Sequence, residues 1–276
     1  MRRHAHSGRL WSAAAIVLRT HFAFVLLALA LASSPGAATA GDLADTVRRI
    51  KPAIVAVGTY QAIRRPPVRL RGTGFVVADG SYVLTNAHVL PDPAADDGAA
   101  ELAVFVGTGP SPEVRRARLV AEDRRHDVAV LKIPGRPLPA LELGRDETVA
   151  EGTAIAFTGF PIGTVLGLYP VTHQGIVSAI TPIAVPQVSP RRLNAEMIRR
   201  LRAPFSVFQL DATAYPGNSG SPLYDRETGV VIGIVSSVFV KRSKENLLKD
   251  PSGITYAIPI RFARALLRRV GALGAE

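Results

Sequence analysis

Short apolar stretches, separated by turn-forming residues, dominate the chain from residue 53 onward. They are rich in Val, Ile and Leu and are bounded by clusters of Gly, Pro and Asp, as at residues 91–98 and 107–112. This pattern is typical of short β-strands rather than of amphipathic helices. The first half of the chain is predicted to contain the strands Ala53–Tyr60, Gly74–Ala78, Tyr82–Thr85, Leu102–Val106, Arg116–Glu122 and Val128–Ile133.

A second set of strand patterns follows a proline-containing stretch at residues 134–139, which is predicted to be a linker. The predicted strands of this set are Thr153–Gly159, Val171–Ile180, Ser206–Asp211, Ser221–Tyr224, Val230–Val240 and Thr255–Ile258. Two sets of six favour an all-β fold with two six-stranded antiparallel barrels, over about residues 45–135 and 150–260. Helical patterns frame them: a short N-terminal helix capped by Asp42, and a C-terminal helix over residues 259–270.

The first forty residues have the pattern of an export signal. A basic start with four arginines is followed by the apolar run Phe22–Ala32, and Ala38-Thr39-Ala40 provides a small-residue cleavage site. The apolar run is shorter than the roughly 20 residues that span a bilayer. We therefore predict a signal peptide over residues 1–40 and a periplasmic or secreted mature chain over 41–276. The alternative is an uncleaved signal that anchors the protein in the membrane.

Composition narrows the classes of partner and cofactor. The chain has no cysteine, so its fold does not depend on disulfides, which favours an exported bacterial protein over a secreted eukaryotic one. It lacks a His-Glu-x-x-His motif and a Gly-rich phosphate loop, and we predict no metal and no other cofactor. The net charge of +11 suits polyanionic surfaces such as an anionic membrane. With no nucleic-acid-binding module in the sequence, we expect no specific nucleic-acid partner.

The strongest chemical signal lies at Tyr215–Pro222, with the sequence Tyr-Pro-Gly-Asn-Ser-Gly-Ser-Pro. Gly217 and Gly220 flank Ser219 and allow the tight turn that would expose a nucleophilic hydroxyl. Such a turn can also aim successive main-chain N–H groups at one point, where an oxyanion could form. A serine hydroxyl is a weak nucleophile alone, so this hypothesis requires a base and an orienting acid elsewhere in the chain.

Outside the predicted signal, the candidate bases are His88, His126 and His173. His88 follows a predicted strand, where a histidine is as readily structural as catalytic. Asp127 opens an apolar strand, and burial of its carboxylate is costly unless a donor such as a histidine N–H bonds it. His126 is expected to be a surface neighbour of two arginines, and His173 is expected to be structural.

Three segments, in the order His, Asp, Ser, resemble the chymotrypsin-like serine proteases, and most closely the protease domain of the HtrA/Deg family. They are Leu84–Val89, Asp127–Ile133 and Gly217–Leu223, and residues 175–179, 209–212 and 256–260 support the resemblance. The similarity extends from about Asp45 to Leu267. It implies a chymotrypsin-like fold with the catalytic cleft between the barrels.

The resemblance also implies a role for each site residue. Ser219 would be the nucleophile, His88 the general base and Asp127 the acid that orients it. Gly217, Asn218 and Ser219 would form the oxyanion hole, with the N–H groups of Gly217 and Ser219 as donors and Asn218 shaping the turn.

The substrate-binding residues are likewise assigned by resemblance, to Thr213, Tyr215, Val235, Ser236 and Val238. Thr213 occupies the position where trypsin-like enzymes have an aspartate, so basic P1 residues are not favoured. Val238 stands where enzymes with deep pockets have glycine and would narrow the pocket. Glutamyl endopeptidases share the Gly-Asn-Ser-Gly-Ser-Pro segment but place a histidine where this chain has Val235. The expected P1 residues are small or medium aliphatic ones.

The sequence thus predicts a serine endopeptidase that acts on unfolded or peptide substrates, in protein quality control or processing outside the cytoplasm. The alternative is a catalytically weak, chaperone-like or peptide-binding relative, and the oligomeric state is not predicted. HtrA chains usually carry PDZ domains after the last helix, whereas this sequence stops there. An amphipathic helix rich in arginine is predicted within residues 186–204, and it is either a packed surface helix or an activator that responds to anionic surfaces.

Overall fold

The computed structural model describes residues 42–91, 100–161, 167–182, 205–236 and 254–274. All of them lie in one compact unit, Gly41–Glu276. The predictions for the signal at residues 1–40, for the basic helix within 186–204 and for Val238 lie outside the described residues. The elements, in chain order, are α1 Leu43–Ile50, β1 Ile54–Tyr60, β2 Val68–Val77, β3 Tyr82–Thr85, β4 Glu101–Val106, β5 Glu113–Arg116, β6 Arg118–Asp123, β7 Val128–Lys132, β8 Ala154–Gly159, β9 Val171–Pro182, β10 Ser206–Asp211, β11 Pro222–Asp225, β12 Val231–Ser236, β13 Ile254–Pro259 and α2 Arg261–Arg269.

The first seven strands form one antiparallel sheet in the order β5-β4-β1-β2-β3-β7-β6. Several large side chains of this sheet are fully buried, among them Phe75, Leu84, Phe105 and Leu131. The all-β prediction is confirmed, but this unit is a seven-stranded sheet with β5 and β6 at its edges, where a closed six-stranded barrel was predicted. The additional strand, β5, is short and has only one buried residue, Arg115, so its sequence carries little apolar signal.

The last six strands close into an antiparallel barrel in the order β10-β13-β12-β11-β8-β9, as predicted. Residues such as Phe157, Phe208 and Leu210 fill its interior. A second apolar cluster extends from the first sheet through α2 to Tyr224 and Ile234 of the barrel. Burial of this continuous apolar surface holds the two β-units, the seven-stranded sheet and the six-stranded barrel, together. It therefore fixes the relative position of the residues that the two β-units contribute to the candidate site.

A side-chain carboxylate accepts a main-chain hydrogen bond at the N-terminus of each helix. Asp42 accepts a hydrogen bond from the N–H of Ala44 at 3.2 Å and caps α1, as predicted. At α2, Pro259 ends β13 and the helix begins at Arg261, two residues later than predicted. Asp146, from the segment between the two β-units, accepts a bond from the Arg261 N–H at 2.7 Å and also contacts the Arg261 guanidinium. It therefore supplies the capping group that α2 lacks locally.

We expect Asp146→Ala to lower the free energy of unfolding by about 1–3 kcal/mol, because a buried cap of α2 is lost. Asp146 is 4 % exposed, so water cannot replace the lost bonds without entering the core. Urea denaturation of the purified variant measures the effect, and Glu147→Ala at the adjacent exposed position is the control. Equal midpoints for the two variants would show that Asp146 does not anchor the helix.

Candidate active site

His88 and Asp127 are in direct contact at the ends of two paired strands. His88 lies on the 3₁₀ turn after β3, Asp127 directly precedes β7, and the two strands pair antiparallel. The Nδ1 atom of His88 is 2.8 Å from Oδ2 and 3.0 Å from Oδ1 of Asp127. The main-chain N–H of His88 also donates to Oδ1 at 3.0 Å. The carboxylate therefore fixes both the ring and the backbone of the histidine.

Further contacts hold Asp127 from both β-units. Its side chain is almost fully buried, and the Ser236 hydroxyl of the second barrel donates to Oδ2 at 2.8 Å. The side-chain amide of Asn86 donates to the Asp127 main-chain oxygen at 2.9 Å. Asp127 adopts a φ of 56°, a left-handed conformation that is unfavourable for a residue with a Cβ atom. Such conformations persist where the surrounding structure fixes them, and they cluster at functional sites.

Ser219 lies on a turn that is bonded to both β-units. Its main-chain oxygen accepts a hydrogen bond from the Thr73 N–H at 2.8 Å, and the next N–H, of Gly220, donates to the Val235 oxygen at 2.9 Å. Val235 immediately precedes Ser236, which contacts Asp127. Gly220 has a φ of 90°, and a Cβ atom there would lie 2.0 Å from the Thr73 oxygen. The glycine after the serine is therefore required by the close approach of β2.

The predicted oxyanion turn has a defined conformation. Asn218 donates its N–H to the Tyr215 oxygen at 3.0 Å, and Gly217 follows Pro216 with a φ of 101°. A proline followed by a residue with positive φ is typical of a type II turn. Since the Asn218 N–H bonds within the turn, Asn218 shapes the turn and is not available as an oxyanion donor.

The predicted substrate-binding residues have different environments. Thr213 and Tyr215 are partly exposed, and Tyr215 is 40 % accessible. Val235 is fully buried in the interior of the barrel, and Ser236 is fully buried with its hydroxyl directed at Asp127. Sequence reasoning did not identify Thr255, whose hydroxyl donates to the Ala212 oxygen at 2.5 Å and accepts from the Ala214 N–H at 3.0 Å. A lone threonine in a strand pattern gives no signal for this contact.

The other two histidines are packed into the structure. His126 was predicted to be a surface residue, but its side chain is only 15 % exposed and its Nδ1 lies 2.5 Å from Oδ2 of Asp123. Its ring stacks on Phe262 of α2 at 3.8 Å between centroids and meets Phe205 edge-on at 4.6 Å. Burial opposes ionisation of Asp123, but the hydrogen bonds from His126 outweigh it and hold the pKa of Asp123 below its usual value.

His173 is half-buried and stacks on Phe157, with 4.9 Å between ring centroids. The ring of Tyr215 is also close to His173, with 5.9 Å between the ring centroids. Burial lowers the pKa of His173, which favours the neutral form of its ring.

Among the described residues, no group of three or more His, Cys, Asp or Glu side chains could hold a metal ion. The two helices in this part of the chain are too short to cross a membrane.

The segment that contains most of these contacts also matches a known protein family. Residues 72–234 match the family model of the trypsin-like peptidase domain. The chain belongs to this family.

The trypsin-like domain is 35 % identical over 195 residues to a probable periplasmic serine endoprotease, DegP-like, of Halomonas elongata, a match that covers 71 % of this chain and 34 % of the relative. A relative with the same description from Pseudomonas savastanoi pv. phaseolicola is 32 % identical over 217 residues, covering 79 % and 38 %. The chain thus spans little more than a third of the length of these curated relatives.

Solved structures agree with this assignment. The serine endoprotease from Yersinia pestis matches the trypsin-like domain with a TM-score of 0.57 and 28 % identity, over 83 % of this chain and 66 % of that one. The HtrA-type protease AlgW with tripeptide matches with a TM-score of 0.56 and 27 % identity, over 83 % and 63 %. The domain therefore has the chymotrypsin-like fold of the HtrA/Deg proteases.

Proposed function

We propose that this protein is a serine endopeptidase that cleaves peptide bonds through Ser219, His88 and Asp127. The observation that carries the proposal is the contact between His88 Nδ1 and the buried Asp127 carboxylate. This contact directs the other ring nitrogen, Nε2, away from the acid and makes it the basic atom of the neutral ring. The turn with Ser219 is bonded to the same two β-units and supplies the nucleophile.

In the proposed reaction, the Ser219 hydroxyl attacks the substrate carbonyl carbon while His88 Nε2 accepts its proton. The bond from Ser219 Oγ to carbon forms, and the carbonyl oxygen becomes an oxyanion next to the N–H groups of Gly217 and Ser219. His88 then gives the proton to the leaving amine, and the peptide C–N bond breaks. Water then attacks the acyl carbon while His88 Nε2 accepts its proton. The bond from Ser219 Oγ to carbon breaks, and His88 returns the proton to Ser219. Throughout, Asp127 stabilises the imidazolium and keeps the ring oriented.

The relatives and the sequence support our proposals for the location and the substrates. The curated relatives are described as periplasmic, which supports export of this protein. Cleavage of the signal after Ala40 is our proposal for the route. As substrates we propose unfolded proteins or peptides, because an extended chain can enter a cleft between two β-units. Removal of residues 1–40, which hold four arginines and no acidic residue, leaves a net charge of 29 − 22 = +7, and this excess makes an anionic membrane surface a second proposed partner.

We expect cleavage of a denatured proteome digest by the protein over residues 41–276 to occur at internal bonds with Val, Ala, Leu or Ile at P1. Thr213 offers no carboxylate for Lys or Arg, and Val235 stands where the glutamyl endopeptidases have a histidine. Mass spectrometry of the new termini measures the preference. Dominance of Arg, Lys or Glu at P1 would contradict the proposed pocket, and the absence of any cleavage would contradict the proposed activity.

A further inference from the structure

Thr73 connects the first β-unit to the turn that carries Ser219. It lies on β2, is fully buried, and makes four hydrogen bonds. Its N–H donates to the Ser219 oxygen at 2.8 Å, and its hydroxyl donates to the Gly217 oxygen at 2.7 Å. The hydroxyl also accepts a bond from the Phe160 N–H at 3.0 Å, and the Thr73 main-chain oxygen accepts from the Thr85 hydroxyl at 2.7 Å.

These bonds fix the two peptide groups on either side of the Ser219 N–H. The peptide that joins Gly217 to Asn218 is held at its oxygen by the Thr73 hydroxyl and at its N–H by the Tyr215 oxygen. The peptide that joins Ser219 to Gly220 is held at its oxygen by the Thr73 N–H and at its N–H by Val235. The intervening peptide, which carries the Ser219 N–H, is held at its oxygen by the Ser221 N–H at 3.0 Å, and the two fixed peptides on either side of it restrict its rotation.

The Phe160 bond gives the Thr73 hydroxyl a defined direction. A hydroxyl has one proton to donate, and accepting from Phe160 leaves that proton for the Gly217 oxygen. The side chains of Asn218 and Ser221 do not provide an equivalent hold. Within the described part of the chain, both amide atoms of Asn218 and the hydroxyl of Ser221 are buried without a hydrogen-bond partner. The orientation of the turn therefore depends on main-chain bonds and on Thr73.

We propose that Thr73 is a positioning residue for the oxyanion hole, and that its hydroxyl keeps the Gly217 and Ser219 N–H groups in the orientation that receives the developing oxyanion. This inference rests on the proposed peptidase function. Thr73 does not touch the reacting atoms in this scheme and acts through the turn. Loss of its hydroxyl would weaken stabilisation of the transition state more than binding of the substrate in its ground state.

The test compares Thr73→Val, which removes the hydroxyl at nearly constant volume, with Thr73→Ser, which retains it. With a short peptide substrate we expect Thr73→Val to lower kcat by about 10- to 100-fold with KM within about two-fold, somewhat less than the loss of a whole oxyanion donor. Thr73→Ser should restore kcat to within about three-fold of the unaltered enzyme. The affinity for a peptidyl trifluoromethyl ketone, whose adduct carries an oxyanion, should fall in parallel with kcat/KM.

Thr46→Val is the matched control. Thr46 is also fully buried, and its hydroxyl also donates to a main-chain oxygen, that of Glu227 at 3.0 Å, but it lies on α1. Its kcat should stay within two-fold, whatever the change in unfolding midpoint. If Thr73→Val does not fold, Thr73→Ala provides the same loss of the hydroxyl with a smaller side chain and should show the same fall in kcat.

Two results would overturn the inference: a folded Thr73→Val or Thr73→Ala enzyme with kcat within two-fold of the unaltered one, or an equal loss in Thr46→Val. Failure of the proposed function is distinguishable, because it would appear as an unaltered enzyme that neither hydrolyses the peptide nor binds the ketone.

Discussion

Replacing Ser219 by alanine is expected to reduce peptide hydrolysis at least about 10⁴-fold, because the only change is loss of the attacking oxygen. The fold should survive the change. The bonds that hold the turn at this position use the main-chain oxygen of Ser219 and the N–H of Gly220, which alanine leaves in place. We therefore expect the free energy of unfolding to change by less than about 1 kcal/mol.

Ser221→Ala is the control for that experiment. Ser221 is two residues away and fully buried, and its hydroxyl has no hydrogen-bond partner within the described residues. Removing an unpartnered buried hydroxyl is close to neutral for stability, and we expect less than a ten-fold change in kcat/KM. A similar loss of kcat/KM in both variants would indicate that activity falls because the turn is disturbed, and not because the Ser219 hydroxyl is removed.

The second large effect is expected for Asp127→Asn, with a fall in kcat of about 10⁴-fold. The Asp127 carboxylate accepts bonds from both the ring and the main chain of His88 and from the hydroxyl of Ser236. An asparagine can place its NH₂ group against His88 Nδ1 and stabilise the tautomer with its proton on Nε2. That tautomer cannot accept the proton of Ser219. Steady-state hydrolysis of a peptide substrate measures the loss.

Asp123→Asn is the matched control for Asp127→Asn. Asp123 also contacts a histidine, His126, but this pair packs against Phe262 of α2. We expect kcat to fall by less than ten-fold and the unfolding midpoint to decrease. An Asp127→Asn enzyme with more than a tenth of normal kcat would show that the His88–Asp127 contact does not support catalysis.

The strands were largely predictable because their apolar runs coincide with burial. The predicted bounds of Tyr82–Thr85 and Ser206–Asp211 are the observed ones. Residues 68–73 of β2 and 113–115 of β5 were missed, because arginines interrupt the apolar pattern in both segments and most of these residues are at least partly exposed. Apolar periodicity identifies the strand segments that are buried in the core, but not the parts of strands that extend beyond it.

The site was predictable only where its residues lie in recognisable segments. Ser236 and Asp127 are 109 residues apart in the chain, and Thr73 and Gly217 are 144 apart. These contacts exist because the two β-units pack together, and neither serine nor threonine at these positions carries a local signal of its partner. His126 was misjudged for the same reason, since Phe262, the residue that covers it, lies on the last helix.

Labelling with a fluorophosphonate tests the central claim most directly. The reagent forms a covalent bond only with a serine whose hydroxyl is activated by a base and faces an oxyanion site. Purified protein over residues 41–276 would be labelled at pH 8 and digested, and the modified residue identified by mass spectrometry. We predict one adduct, on Ser219, and none on Ser221 or in the Ser219→Ala variant. No adduct on the folded protein, or an adduct on a different serine, would contradict the assignment of Ser219 as the nucleophile.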